Sequence, residues 1–363
     1  MTDVKLYKMS GAGNDFVVLD GRGKDMDEFR RAERIRELCK EFRTDGLMIL
    51  LEGMSLSGRK AETGSEGSQG WEPQGTLGAE PLTDHTEFRM EFYNPDGSGG
   101  MMCGNGGRCI VAFADWLGIT PLEPDHYHFL APDGPHSAEI LSRPYSGCGT
   151  TSGGTPLPKV ATAPPNGVGP LPLPVSGGGH ARQGLSTTAT GKQWIVRLGM
   201  IDVNGIRKML GGYFLNTGTR HFVKFVEDVD AIDIETDGKA LRWNEAFAPE
   251  GTNVNFVQRL PDGTLKIRTF EKGVEGETLA CGTGITAAAI ASFAASYPDS
   301  DGECRYRAPF SGARTCPFPV ADETGRISIR LQARRGDILQ VDFQPEGTGI
   351  FRDIHLTGPA EFC

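Results

Sequence analysis

The chain has 363 residues, with 37 Lys and Arg against 47 Asp and Glu, for a net charge of −10. That balance argues against nucleic acid or an anionic membrane as a partner, since both call for a basic face. With 38% hydrophobic and 23% charged residues the composition is that of a folded protein, long enough for two domains with a core each.

In chain order, 4–6 and 16–19 read as short strands around a glycine turn at 11–13. Helical spacing with many charges marks 27–42 as a surface helix, in which Arg30, Arg31, Arg34 and Arg36 interleave with acids. Residues 47–51 form an apolar strand, and 53–85 loses periodicity and holds seven glycines, as a loop would. The alternation at 88–93 predicts a strand, and the apolar run 109–117 a helix ending at Gly118. The stretch 144–191 holds 11 Gly and 8 Pro in 48 residues, which predicts a mobile excursion or linker. Strands are predicted at 194–198 and 213–226, a hairpin at 256–270 around Pro261-Asp262-Gly263, and strands at 327–331 and 338–343; 297–325 is loop-like. The uncharged run 278–298 approaches a membrane span in length, but its Gly, Thr, Ser and Ala content suits a buried helix.

Eight cysteines are spread thinly with no C-x-x-C pair, which suits free thiols in a reducing compartment rather than a disulfide scaffold or a zinc site. The N-terminal segment shows no basic stretch followed by an apolar one, so a cytoplasmic location is expected.

One internal echo carries chemistry. Cys103-Gly104-Asn105-Gly106 and Cys281-Gly282-Thr283-Gly284 each follow a polar glycine-bearing loop and precede an apolar helix, 178 residues apart. The repeat predicts two similar domains, each with strands wrapped around a central helix. A helix start built from small residues offers unpaired N–H groups and partial positive charge to a carboxylate. The same field is expected to lower a cysteine pKa from about 8.5 toward roughly 3.5–7.5. Two such cysteines on matched elements suit the inversion of a stereocentre α to a carboxylate. One thiolate removes the Cα proton and the opposed thiol delivers another, with no metal or cofactor needed.

At these residues the chain resembles the diaminopimelate epimerase family. Lys8-Met9-Ser10-Gly11-Ala12-Gly13-Asn14-Asp15-Phe16 is similar to its opening motif, and Asn94-x-Asp96-Gly97-Ser98 through Cys109 to its first cysteine signature. Gly251 to Phe256, Glu271 to Gly284 and Thr357 to Ala360 resemble its substrate loop, second cysteine motif and closing strand. The resemblance implies an α/β (α+β) fold of two pseudo-symmetric domains, each a strand-rich barrel-like sheet around a central helix, with the active site in the cleft between them. The implied domains are 1–141, completed by 352–363, and 192–351; inserts at 53–85, 142–191 and 297–325 are unusual for the family. It further implies conversion of LL-diaminopimelate to the meso form, in lysine and peptidoglycan biosynthesis, without a cofactor or metal. Cys103 and Cys281 would be the acid/base pair. Gly104, Asn105, Gly282 and Thr283 would hold the reacting carboxylate, and Asn14, Asn94, Thr219, Asn253, Glu271 and Lys272 would bind substrate. His221 and Glu271 would tune the thiols. The expected partner is this small molecule, not nucleic acid or membrane, with a homodimer left open.

Some residues depart from the family pattern. Lys272 stands where an Arg is usual, and a point-charge ammonium grips a carboxylate less rigidly than a guanidinium. Arg220, next to His221, is a candidate substitute, and Gly46 stands where many members have a substrate-facing Gln. Two other functions fit the same logic: a proline racemase-like enzyme, whose first motif usually carries His where Asn105 stands, and an inactive thiol redox or scaffold protein on the same fold.

Overall fold

The computed structural model describes residues 4–53, 85–100, 103–144, 193–296 and 321–363. Most of the three Gly-rich inserts, and the mobility expected of 144–191, lie outside the described residues. The first half of the chain runs β1 (Leu6–Gly11), β2 (Asn14–Asp20), α1 (Ala32–Phe42), β3 (Gly46–Glu52), β4 (Phe88–Tyr93), α2 (Gly104–Trp116), β5 (His126–Ala131), β6 (Gly134–Ser142) and β7 (Trp194–Gly199). The second runs β8 (Val203–Asn204), β9 (Ile206–Met209), β10 (Gly212–Asn216), β11 (Arg220–Phe225), α3 (Lys239–Arg242), β12 (Asn253–Arg259), β13 (Leu265–Glu271), β14 (Gly276–Thr278), α4 (Gly282–Ser296), β15 (Ile327–Gln332), β16 (Ile338–Pro345) and β17 (Ile350–Phe362). Among the described residues no helix is long and apolar enough to cross a membrane.

The pairings close two rings. In the first, β1 pairs antiparallel with β2, β2 parallel with β3, β3 antiparallel with β4, and β4 parallel with β5. Then β5–β6, β6–β7, β7–β17 and β17–β1 are all antiparallel, which shuts the barrel. The second repeats the same sequence of senses: β10–β11 antiparallel, β11–β12 parallel, β12–β13 antiparallel, β13–β15 parallel, β15–β16 and β16–β17 antiparallel. It closes through β8 on β17 and β9 on β10, with Gly205 between them at φ +132°. Closure pairs the ring strands with one another, and the short β14 adds to β13 beside the second ring. The one long strand β17 serves both rings: Phe351, Ile354 and Leu356 enter the second core, and Ala360 the first.

Each barrel is filled by one helix. Ile110, Val111, Ala112 and Phe113 of α2 pack among Phe16, Met48, Phe88 and Phe129. In α4 the run Ala287, Ala288, Ala289, Ile290 and Ala291 is wholly buried among Val223, Val257, Ile329, Val341 and Phe343. A helix apolar on every face must be buried on every face, and the alanines allow the strands close in. Helix α1 instead lies outside the first barrel and turns Ile35, Leu38 and Cys39 onto Val17, Leu47 and Ile49.

Helix α2 begins at Gly104, directly after Cys103, as the Cys-Gly-x-Gly start predicts. Two expectations change. Residues 213–226 form a hairpin, not one strand, because Gly218 turns the chain at φ +108°. Strand β7, assigned above to the range 192–351, lies between β6 and β17 and buries Trp194, Val196 and Leu198 in the first core. The Gly/Pro-rich stretch that precedes it falls between two neighbouring strands of one barrel, where composition alone resembles a domain boundary.

The helices meet at their N-termini. A Cβ on Gly282 would lie 3.0 Å from Gly104 Cα and 3.2 Å from Gly104 N. Both of these are backbone atoms, which cannot yield unless the helices part. Gly282→Ala should therefore cost about 1–3 kcal/mol of stability by overpacking, measured by urea unfolding; a loss below about 0.5 kcal/mol, the range of an ordinary surface change, would mean the contact is loose.

Candidate active site

Both cysteines stand at the same place on matched helices. The Cys103 carbonyl accepts from Gly107 N at 2.8 Å, and the Cys281 carbonyl accepts from Ile285 N at 2.8 Å, so each opens its helix. Cys103 Sγ also accepts from Gly106 N at 3.2 Å. The amides ahead of those first bonds have no helical acceptor, and they line the seam where Gly104 touches Gly282 beside Leu356.

The second residue of each helix ties it to the β-turn of its own barrel. Asn105 Nδ2 donates to Asn14 Oδ1 at 2.6 Å and to the carbonyl of Ala280 at 3.3 Å. Thr283 Oγ1 lies 3.1 Å from Thr219 Oγ1 and 2.9 Å from His221 Nε2, while Thr217 Oγ1 donates to the Thr283 carbonyl at 2.8 Å. The turns themselves, at Gly13 and Gly218, have positive φ.

His221 is fully buried, and its proton can be placed. Asn255 Nδ2 donates to the Phe222 carbonyl at 3.2 Å and its Oδ1 accepts from Thr269 Oγ1 at 3.0 Å, which orients the amide. The same Nδ2 lies 3.0 Å from His221 Nδ1. Nδ1 is therefore the acceptor, and Nε2–H donates toward Thr219 and Thr283. The Thr283 hydroxyl hydrogen is then free to be donated to Cys281 Sγ, 3.4 Å away, or to Thr219 Oγ1, 3.1 Å away. Gly284 makes room for this stack, since a Cβ there would come within 2.5 Å of Asn255 Oδ1. Burial lowers the His221 pKa to about 3, so the ring is neutral at physiological pH.

The thiols depart from expectation. Burial pushes Cys103 up to about 11 and Cys281, the more deeply buried, up as well. The helix amides and the Thr283 hydroxyl pull down but do not win, because loss of water costs an isolated thiolate more than these contacts return. The charge of Glu271 raises both thiols further. Glu271 itself is raised by burial, against a hydrogen bond from Thr278.

The remaining candidates lie on the same frame. Asn253 Nδ2 donates to Thr219 Oγ1 at 3.3 Å and to the Arg220 carbonyl at 3.0 Å, and its Oδ1 holds the Lys272 amide at 2.7 Å. The Lys272 side chain is exposed. Asn94 closes a turn by donating to Ser98 Oγ at 3.0 Å. Arg220 is ion-paired with Glu250 at 2.6 Å and sits over the Phe214 ring, so its guanidinium is already engaged. A side chain at Gly46 would meet the Tyr93 carbonyl at 2.8 Å, which explains the glycine.

The diaminopimelate epimerase family profile matches residues 213–309. The diaminopimelate epimerase of Aquifex aeolicus is 32% identical over 365 residues, covering 98% of this chain and 94% of its own. That of Chlorobaculum tepidum is 33% identical over 358 residues, covering 97% and 96%. The chain belongs to the diaminopimelate epimerase family. It is accordingly an isomerase. The fold is shared with a phenazine biosynthesis protein of the PhzF family from Bacillus anthracis (TM-score 0.56, 11% identity, 100% and 97% of the chains). It is shared also with a hydroxyproline epimerase from Agrobacterium vitis (TM-score 0.50, 13% identity, 99% and 90%).

Sequence reasoning passed over Asn255, Thr217 and Arg108. Asn255 lies inside the substrate-loop motif and alternates with Asn253, a spacing that turns both to one face of β12; that periodicity was the available signal.

The thiols can be titrated directly. Alkylation by iodoacetamide should rise with pH past 9, with Cys103 reacting before Cys281. Glu271→Gln removes a negative charge and should move both profiles to lower pH. A shift to higher pH would contradict the charge assignment.

Proposed function

We propose that this epimerase inverts one α-carbon of LL-diaminopimelate to give the meso isomer, with Cys103 and Cys281 on opposite faces of that carbon. The observation that supports the reading is the contact of two cysteine-capped helix starts at Gly104 and Gly282. One thiolate takes the Cα proton: the C–H bond breaks and an S–H bond forms. The electron pair spreads onto the carboxylate, whose growing charge meets the free amides of α2 and α4. The opposite thiol then gives its proton to the other face, and the carbon leaves inverted. The pair ends with its protons exchanged and resets through solvent.

Each turnover needs one thiol and one thiolate, so the pair titrates as a unit and the rate against pH is bell-shaped. Neutral His221 acts through Thr283, whose hydroxyl stabilises the Cys281 thiolate. Glu271 opposes ionisation until substrate fills the cleft. Asn14, Asn94, Asn105, Thr219, Asn253 and Lys272 orient the substrate, with Lys272 as the cation for the distal carboxylate. The reaction serves lysine and peptidoglycan synthesis in the cytoplasm.

Loss of label from Cα-deuterated LL-diaminopimelate, with proline run in parallel, tests the substrate. Diaminopimelate should lose deuterium and proline should keep it; the reverse would make the chain a proline racemase-like enzyme, and no loss from either an inactive scaffold. Cys103→Ala and Cys281→Ala should each abolish epimerisation while melting near the wild-type temperature. Near-normal turnover in either variant would end the two-base assignment.

A further inference from the structure

Arg108 is fully buried, and among the described residues no carboxylate forms an ion pair with it. The acidic groups whose charge it feels are the thiols of Cys109 and Cys103 and the carboxylate of Asp337. Its contacts are all to neutral oxygens. Nη2 donates to Asn105 Oδ1 at 2.7 Å, Nη1 to the Gly104 carbonyl at 3.1 Å, and Nε to the Pro359 carbonyl of β17 at 3.4 Å. A cation near the start of a helix works against the dipole, and a buried charge without a counter-ion is costly.

The second barrel shows that the fold does not need it. Five residues after Cys281, where the pseudo-symmetry places the counterpart of Arg108, stands Thr286. Its hydroxyl caps the Gly282 carbonyl at 3.0 Å, the same job that Nη1 does for Gly104. The guanidinium therefore does something beyond closing a helix turn. The backbone accommodates it: a Cβ on Gly358 would lie 3.0 Å from Arg108 Nε and 3.2 Å from its Cζ. Gly358 and Pro359, quoted above only as part of a closing motif, are the seat of this side chain.

We infer that Arg108 is a positioning residue: it fixes the Asn105 amide so that Nδ2 spans from Asn14 to the residue before Cys281, and it sets a buried positive charge in the opening turns of the helix that Cys103 caps. The first task follows from donor chemistry. A guanidinium can only donate, so it holds Oδ1 and leaves Nδ2 facing the seam between the helices. Asn105 then links the β1–β2 turn, α2 and the carbonyl of Ala280, and so keeps the two cysteine elements in register. The second task supplies charge where the thiolate and the substrate carboxylate carry their negative charge. The groups that bear on Cys103 are Glu271, which raises its pKa, the Gly106 and Asn105 amides and Arg108, which lower it, and the thiols of Cys109 on its own helix and Cys281 on the facing one, whose ionisation a Cys103 thiolate opposes.

This inference rests on the proposed epimerase reading, and its test separates the two. Arg108→Lys keeps the charge and loses the fork. It should lower kcat roughly ten- to a hundredfold, as for a lost charge-assisted hydrogen bond, with KM within about threefold. Gly358→Ala leaves Arg108 in the chain but presses on its seat, and should lower kcat in the same direction. Arg108→Met removes the charge and should raise the pH of half-maximal Cys103 alkylation by about one unit, the shift a nearby opposite charge produces. A purely structural arginine would lower the melting temperature but move neither kcat per folded molecule nor the thiol profile. If Arg108→Lys and Gly358→Ala fold and keep kcat within about twofold, the inference is overturned, even where Arg108→Met does not fold. A wild-type chain that fails to turn over diaminopimelate would instead overturn the epimerase reading, and the alkylation profile would still judge Arg108.

Discussion

Gly104 and Gly282 touch backbone to backbone, and most of the architecture serves that contact. Two helix starts can meet this way only if neither carries a side chain at the junction. They must also be aimed at one another by rigid frames, since each has repulsive positive charge at its tip. Each frame is a closed barrel whose interior is filled by the helix it aims. Strand β17 belongs to both rings, so one backbone carries the registration between them, with Leu356 in the seam. Two positive tips brought together form a site that calls for an anion, and in the proposed reaction a carboxylate meets that demand while its α-carbon lies between two sulfurs.

The chemistry of the two sulfurs depends on how dry that seam is. Burial alone holds both thiols protonated, against the pull of the helix amides. Ionising one therefore needs help from fixed dipoles and charges, and each side obtains it differently. Cys281 has the Thr283 hydroxyl, backed by neutral His221 and oriented Asn255. Cys103 has the Gly106 amide and the guanidinium of Arg108. The barrels are symmetric, but the groups behind the two sulfurs are not. That fits a substrate whose two faces at the α-carbon are not equivalent.

Much of the site was legible in the residues because its signal is local. Cys-Gly-x-Gly followed by an apolar helix marks a helix start at both cysteines, and the repeat marks two similar halves. Strands with clear alternation, such as β4, were placed within a residue. Of the strands that escaped, β8, β9 and β14 are short, and β5 and β6 carry histidine, serine or glutamate between their buried residues. In β17, Gly358 and Pro359 look like breakers when read alone; only the tertiary structure shows that one seats Arg108 and the other offers it a carbonyl. The thiol pKa was misjudged for a related reason. The helix field can be read from sequence, whereas the desolvation that outweighs it comes from residues far apart in the chain. The hairpin at Gly218 was missed because its flanking strands are both apolar, and one glycine carries the whole turn.

A structure of the protein with diaminopimelate bound tests the central claim most directly. The account predicts one α-carbon of the ligand between the sulfurs of Cys103 and Cys281, with its carboxylate on the amides at the starts of α2 and α4. A ligand whose α-carbon lies beside only one sulfur, or whose carboxylate is held away from both helix starts, would contradict it.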